Sequence, residues 1–207
     1  MAPRKSLYSP HPGIAMTQKW VAELSTKSGR SLEQWLKLIE KEGPATEAER
    51  RTWLKSRYDL GTNSAWWLAE RSVGKGAEDS DPDLYLKAAE CYVAEMFAGG
   101  KEGLRPIYDE LLKRGLALAK DVKACPCKTI VPLYREHVFA QIKPATRTRI
   151  DFGLALAKAP GELPARLIDT GGLAKKDRIT HRFALGSVDE IDDEVKTWLR
   201  IAYDLDQ

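Results

Sequence analysis

The chain has 207 residues, 43% of them hydrophobic and 30% charged, with a formal net charge of +3; that balance supports a buried core and excludes disorder throughout. No apolar run approaches the ~20 residues that cross a bilayer, and the basic opening MAPRKSLYSPHPG is not followed by the apolar stretch of a leader. A cytoplasmic location without a membrane partner is expected, and the three cysteines, Cys91, Cys125 and Cys127, are expected to stay thiols there.

The first 13 residues hold three prolines and a glycine and read as a flexible arm. A helix follows from about Ile14 to Lys27, with Met16, Trp20, Val21 and Leu24 on its apolar stripe. Ser31 and Gln34 have the spacing of a capping box, as do Thr46 and Glu49; they open a second helix carrying Leu32, Trp35, Leu36 and Ile39 and a third carrying Trp53, Leu54 and Tyr58. Asn63 is placed to cap a fourth helix through Ala65, Trp66, Leu68 and Ala69. Residues 14–72 therefore predict a small four-helix bundle, and five of the six tryptophans lie in it. VGKGAEDSDPD, residues 73–83, has almost nothing to bury and reads as a linker.

Past the linker, residues 84–207 predict an α+β domain. Helical spacing covers Leu84–Phe97 and Leu104–Ala119, and then the period changes to two. Val138–Lys143, Arg149–Leu156 and 178–185 alternate apolar and polar residues, as half-buried strands do. Thr129–Arg135 adds a strand broken by Pro132, which points to an edge or a bulge. Ser187 and Glu190 repeat the capping spacing before a last helix with Ile191, Val195, Trp198, Leu199, Ala202 and Tyr203 on one stripe. The expected architecture is a helical bundle followed by an antiparallel sheet of about four strands with helices on one face.

Charge is unevenly placed along this order. Residues 1–76 carry 13 Lys and Arg against 8 Asp and Glu, and residues 124–182 carry 11 against 5; residues 77–123 carry 7 against 10, and the last 25 carry 2 against 7. The excess of +6 over 124–182 coincides with the sheet.

Two stretches carry a resemblance. GIAMTQKWVAELSTKSGRSLEQWLKLIEKEG with WLKSRYDLGTNSAWWLAE resembles a small helical domain of unknown function. LYLKAAECYVAEMF, KTIVPLYREHVFAQIKPATRTRIDFGLAL and DEIDDEVKTWLRIAYDL resemble a second domain of unknown function, also found at the end of predicted transport or restriction-associated proteins. The chain is thus similar, over nearly its whole length, to a bacterial family of uncharacterised two-part proteins. The resemblance implies architecture and carries no catalytic motif.

For chemistry, no GxSxG, P-loop, strand-linked GxGxxG or HExxH occurs. Cys125-Pro126-Cys127 with His137 or His181 offers soft ligands, but one intervening residue and no second pair is not a structural zinc spacing; the thiols are expected to be packed, and no metal or cofactor is assigned. The polar face of the sheet is the candidate site. With the strands aligned as read, Gln141, Lys143, Arg149, Asp151, Thr180 and Arg182 share one side, with Arg135 and Arg147 near its rim. Arginine forks bind phosphates and carboxylates, so Arg135, Gln141, Lys143, Arg147, Arg149 and Arg182 are the candidate anion-binding set, although a solvated charged face is the ordinary outcome for such a sheet. DTGGLAKKDRIT, residues 169–180, is either a basic loop over that face or a plain connection.

In the bundle, the third helix, DLGTN and the fourth helix have helix-turn-helix proportions with Arg50, Arg51, Lys55 and Arg57 nearby, but Trp66 and Trp67 read base edges poorly. The sequence therefore predicts a non-enzymatic binding protein for an anionic partner, nucleic acid first. The alternatives are a small-molecule binder or motif-poor enzyme built on Arg149, Asp151 and His181, and a protein-interaction module using exposed tryptophans. Oligomeric state is left open.

Overall fold

The structure, a computed structural model, describes residues 6–206. The chain divides into two compact units, residues 10–86 and residues 87–206 together with 6–9.

The first unit is helical: α1 (Gly13–Ser28), α2 (Leu32–Glu42), α3 (Glu47–Tyr58) and α4 (Thr62–Ser72). Both early capping boxes form, with Ser31 and Thr46 accepting from the backbone of Gln34 and Glu49, whose side chains return to the cap amides. Two of the orphan amides at each helix start are thereby satisfied. Gly61, and not Asn63, is the N-cap of α4. The chain enters that helix two residues earlier than expected, so Asn63 lies inside its first turn. Leu24, Trp35, Ile39, Leu54, Ala65, Leu68 and Ala69 form the core. Rings meet edge to face around it, Trp20 on Trp67 at 4.9 Å and Trp35 on Tyr58 at 5.2 Å between centroids, the arrangement favoured by the ring quadrupole. Trp35 also donates its indole N–H to Ser28 at 2.8 Å. Met16 departs from its expected place on the stripe and is 75% exposed.

The stretch read as a linker contains a turn of 3₁₀ helix at Ala77–Asp79, and α5 (Pro82–Met96) begins inside it. Of the stretch read as an arm, residues 1–5 lie outside the described residues. Residues 6–9 belong to the second unit: Tyr8 is buried with its hydroxyl 3.0 Å from that of Tyr108, and the Ser9 amide donates to the Ala124 carbonyl.

The second unit is α+β. After a 3₁₀ segment (Gly99–Leu104) and α6 (Arg105–Ala117) come β1 (Lys123–Ala124), β2 (Val131–Tyr134), β3 (Val138–Pro144), β4 (Ile150–Leu154), β5 (Ile168–Asp169), the short α7 (Gly172–Lys175), β6 (His181–Leu185) and α8 (Asp193–Asp204). The strands form one antiparallel sheet in the order β1-β2-β3-β4-β6-β5. It has six strands where about four are expected, because β1 and β5 are two residues each and too short to show a period.

Register decides which side chains enter the core. Ala140, Leu154 and His181 lie in one row, Ile142, Phe152 and Phe183 in the next, and Pro144, Ile150 and Leu185 in the third. All except the half-buried His181 are buried. A register shift between Leu133 and Tyr134 changes the alternation at the start of β3. Phe139, expected on the polar face, is instead fully buried, with its ring edge-on to Tyr203 of α8. Val138 lines the opposite side. This bulge is one of the two devices that Pro132 anticipates. Ser187 caps only a 3₁₀ turn (Val188–Glu190) and makes no side-chain cap bond; the N-cap of α8 is Asp192, which accepts from Val195. Among the described residues, no helix is long and apolar enough to cross a membrane.

Candidate anion-binding groove

The polar face of β3, β4 and β6 forms the floor of a groove of about 670 Å3, lined among others by Gln141, Lys143, Asp151, Gly153 and Arg182. Strand pairing places them: Gln141, Gly153 and Arg182 form one row, Lys143, Asp151 and Ala184 the next. Gly153 makes the floor low, since a Cβ there would stand 2.6 Å from Ile179 Cγ2 and 3.0 Å from Gln141 Cγ. The segment Asp177–Ile179 therefore closes against the sheet where a side chain is missing. Asp169 and Thr170 complete the rim.

Asp151 organises the cations. Its Oδ1 accepts from Arg149 Nε at 2.9 Å and from Arg182 Nη1 at 3.0 Å. The Arg182 and Asp151 side chains are 23% and 18% exposed, so the pair is partly desolvated and stronger than a surface ion pair. Two guanidinium groups thus converge on one carboxylate oxygen, and Lys143 stands in register with that carboxylate, exposed and without an ion pair among the described residues. One negative charge holds two forks, whose remaining N–H groups have no protein acceptor among the described residues.

The groove as a whole is mixed. Lys143, Arg178 and Arg182 line it together with Asp151, Asp169 and Asp177. Arg178 is fixed from below, by Asp206 at 2.6 Å and by the Val138 carbonyl at 3.2 Å, and Asp169 accepts from the Gly171 amide. The stretch 169–180 is accordingly tied down, with the Thr170 hydroxyl donating to the carbonyls of Ile179 and Thr180 and accepting from the Gly172 amide.

Of the six candidate residues, Gln141, Lys143 and Arg182 line the groove, while Arg149 does not line it and reaches it through its bond to Asp151. Arg135 is elsewhere. Its guanidinium covers Tyr203 at 4.5 Å, meets Asp121 and donates to the carbonyls of Tyr203 and Asp206. Arg147 is also elsewhere, in a second hollow of about 490 Å3 with Lys101, Lys128 and Lys143. Thr180 leaves the polar face because β6 starts only at His181; it is buried, accepting from the Leu156 amide. His181 meets Thr180 and does not line the groove, so the alternative built on Arg149, Asp151 and His181 is not assembled. Asp206, which sequence reasoning passed over, is the buried anchor beneath the rim. Its partners His137 and Arg178 are 69 and 28 residues away, and no local pattern announces such a pairing.

Elsewhere the other candidates have ordinary environments. Burial pushes the Cys125 thiol up to about 12 and raises that of Cys127; His137 is engaged with Asp206. Among the described residues no group of three His, Cys, Asp or Glu side chains could hold a metal ion. The Tyr203 hydroxyl bonded to Asp121, with Arg135 beside it, holds that carboxyl below its usual range. In the helical unit, Arg50 donates to the carbonyls of Pro44 and Ser72, and Arg51 pairs with Glu47 and covers the exposed Trp66. Those cations are occupied by the bundle itself.

No curated protein and no solved structure matches the chain. The model of a domain of unknown function, DUF4287, matches residues 16–70, within the helical unit. That of a second, DUF5655, matches residues 93–206, which contain the whole sheet and its groove, and since this is more than half of the sequence, the chain belongs to the DUF5655 family.

Proposed function

We propose that the sheet unit is a non-enzymatic binding module that seats an anionic group of its partner on the polar face of β3, β4 and β6. The observation that carries this reading is the sharing of one oxygen, Asp151 Oδ1, by Arg149 and Arg182. A carboxylate held between two guanidinium groups orients both forks in advance and neutralises only one of them. An incoming carboxylate or phosphate takes the donors left over, with Lys143 adding a movable charge. Preorganisation of this kind lowers the entropy lost on binding.

The acids on the rim refine the ligand. Asp169 and Asp177 repel a uniform run of phosphates on the β5 side of the groove, so the partner places one anionic group over Arg182 and directs any others toward β3. Titration of the full chain with inorganic phosphate, followed by calorimetry at low salt, tests the reading. Saturable binding is expected, and Arg182→Gln should weaken it about 10- to 100-fold, the worth of one charged hydrogen bond. Binding should fall as salt rises. Absence of saturable binding, or an Arg182→Gln protein that binds as well as the parent, refutes it.

A further inference from the structure

The second hollow is the strongest unassigned feature of the molecule. Lys101 from the 3₁₀ segment, Lys128 from the β1–β2 connection, Lys143 at the end of β3 and Arg147 from the β3–β4 hairpin line it, with Glu95 as the carboxylate among its lining residues. None of these four cations forms an ion pair among the described residues; Lys101 spends one N–H on the Pro144 carbonyl at 2.8 Å. The stem of Arg147 lies over Gly100, where a Cβ would stand 3.2 Å from its Cδ. By contrast, the arginines of the helical α6 and α8 are matched to acids one turn away. Gathering four like charges around one concavity costs Coulomb energy that an anion recovers.

Lys143 also lines the groove of the polar face. The two hollows therefore meet at this one side chain, and they meet on the β3 side, across the sheet from Asp169 on β5. We infer that the Lys101–Lys128–Arg147 hollow is a second anion subsite, and that the ligand carries consecutive phosphate groups, one over Arg182 and the next ones led past Lys143 into the hollow. This rests on the groove reading above and names its ligand class. Consecutive phosphates occur in a single nucleic-acid strand and in a linear oligophosphate.

The test uses the full chain with three probes: inorganic phosphate, tripolyphosphate and a short 5′-phosphorylated oligothymidylate. The multi-phosphate probes should bind at least tenfold more tightly than phosphate. A triple variant, Lys101→Gln with Lys128→Gln and Arg147→Gln, should lose that advantage while binding inorganic phosphate as the parent does. For the oligothymidylate, the slope of log affinity against log salt should fall in magnitude by about 2 in the triple variant, at ~0.7 per phosphate neutralised on a single strand. Preference for oligothymidylate over tripolyphosphate identifies a strand backbone, and the reverse identifies a small oligophosphate; either supports two subsites. If phosphate binds and the triple variant handles all probes as the parent does, this inference fails and the groove reading stands. Loss of phosphate binding in the triple variant, with the fold intact by circular dichroism, also overturns it, because the hollow would then be the primary site. Should the triple variant alone lose multi-phosphate binding while Arg182→Gln changes nothing, the groove reading fails instead.

Discussion

Asp206→Ala is the perturbation that probes how the groove is held. The Asp206 side chain is 1% exposed and receives three donors: the His137 amide at 2.8 Å, His137 Nδ1 at 3.2 Å and Arg178 Nη2 at 2.6 Å. A buried ion pair broken by removing one partner costs about 3–5 kcal/mol when the other charge is stranded. Here it is not stranded, since the Arg178 side chain is 48% exposed and that of His137 56%; both return to water at little cost. What remains is one backbone N–H that loses a charged acceptor, about 2 kcal/mol. For a unit of this size that lowers its melting temperature by about 8 °C. Arg178→Gln leaves the buried Asp206 carboxylate with its two His137 donors but without its cation, and should cost about 3–5 kcal/mol, more than Asp206→Ala. Urea unfolding of the three proteins, read by circular dichroism, checks both numbers. If Arg178→Gln costs less than Asp206→Ala, a stranded buried carboxylate is not the larger penalty and the reasoning from exposure is wrong.

Three further outcomes follow from particular contacts. Gly153→Val places methyl groups where even a Cβ meets Ile179 and Gln141, so it should cost about 1–3 kcal/mol by overpacking and weaken phosphate binding, both measurable by calorimetry. Tyr8→Phe leaves the buried Tyr108 hydroxyl without its partner and should destabilise the sheet unit by about 1–2 kcal/mol in urea. Cys91 is exposed while burial raises the Cys125 and Cys127 thiols, so at pH 8 one thiol per chain should react promptly with an aromatic disulfide reagent, and three in denaturant. The same burial, with Tyr134 pushed up to about 12, sets an alkaline limit. The unfolded thiols ionise near their ordinary 9.0 while the folded ones hold their protons, so the stability is fully present below pH about 9 and is lost as pH rises toward about 12. A thermal melt series over that range checks the sign.

Much of the architecture is written locally, and where it is, the sequence can be read. Ser31 with Gln34 and Thr46 with Glu49 need only a spacing of three and an apolar run behind them, and both boxes form. The same spacing at Ser187 and Glu190 does not open the helix, because Asp192 offers a competing cap directly before α8, and Glu190 turns instead to the Gly186 amide. Alternation finds β3, β4 and β6, yet alternation is a count, and one inserted residue reverses every assignment beyond it. That is why Val138 and Phe139 exchange faces at the bulge; Thr180 and Ile179 depart from the expected faces because they precede β6, where strand alternation does not hold.

The candidate site divides along the same line. Gln141, Lys143, Asp151 and Arg182 sit within regular strands, so their common face follows from parity. Arg135 and Arg147 sit at turns, where parity says nothing and the side chain is claimed by whatever lies within reach. Arg135 finds the end of α8, 68 and 71 residues later, and is consumed there; Arg147 finds the backbone of Gly100 and keeps its charge unspent. A surplus of +6 over residues 124–182 therefore does not spread over one face. It resolves into a forked pair fixed by Asp151, a rim arginine fixed by Asp206, and a group of cations that form no ion pair among the described residues, joined to the rest through Lys143. The proposed anion sites rest on this distribution more than on the total, and it is what the binding experiments interrogate.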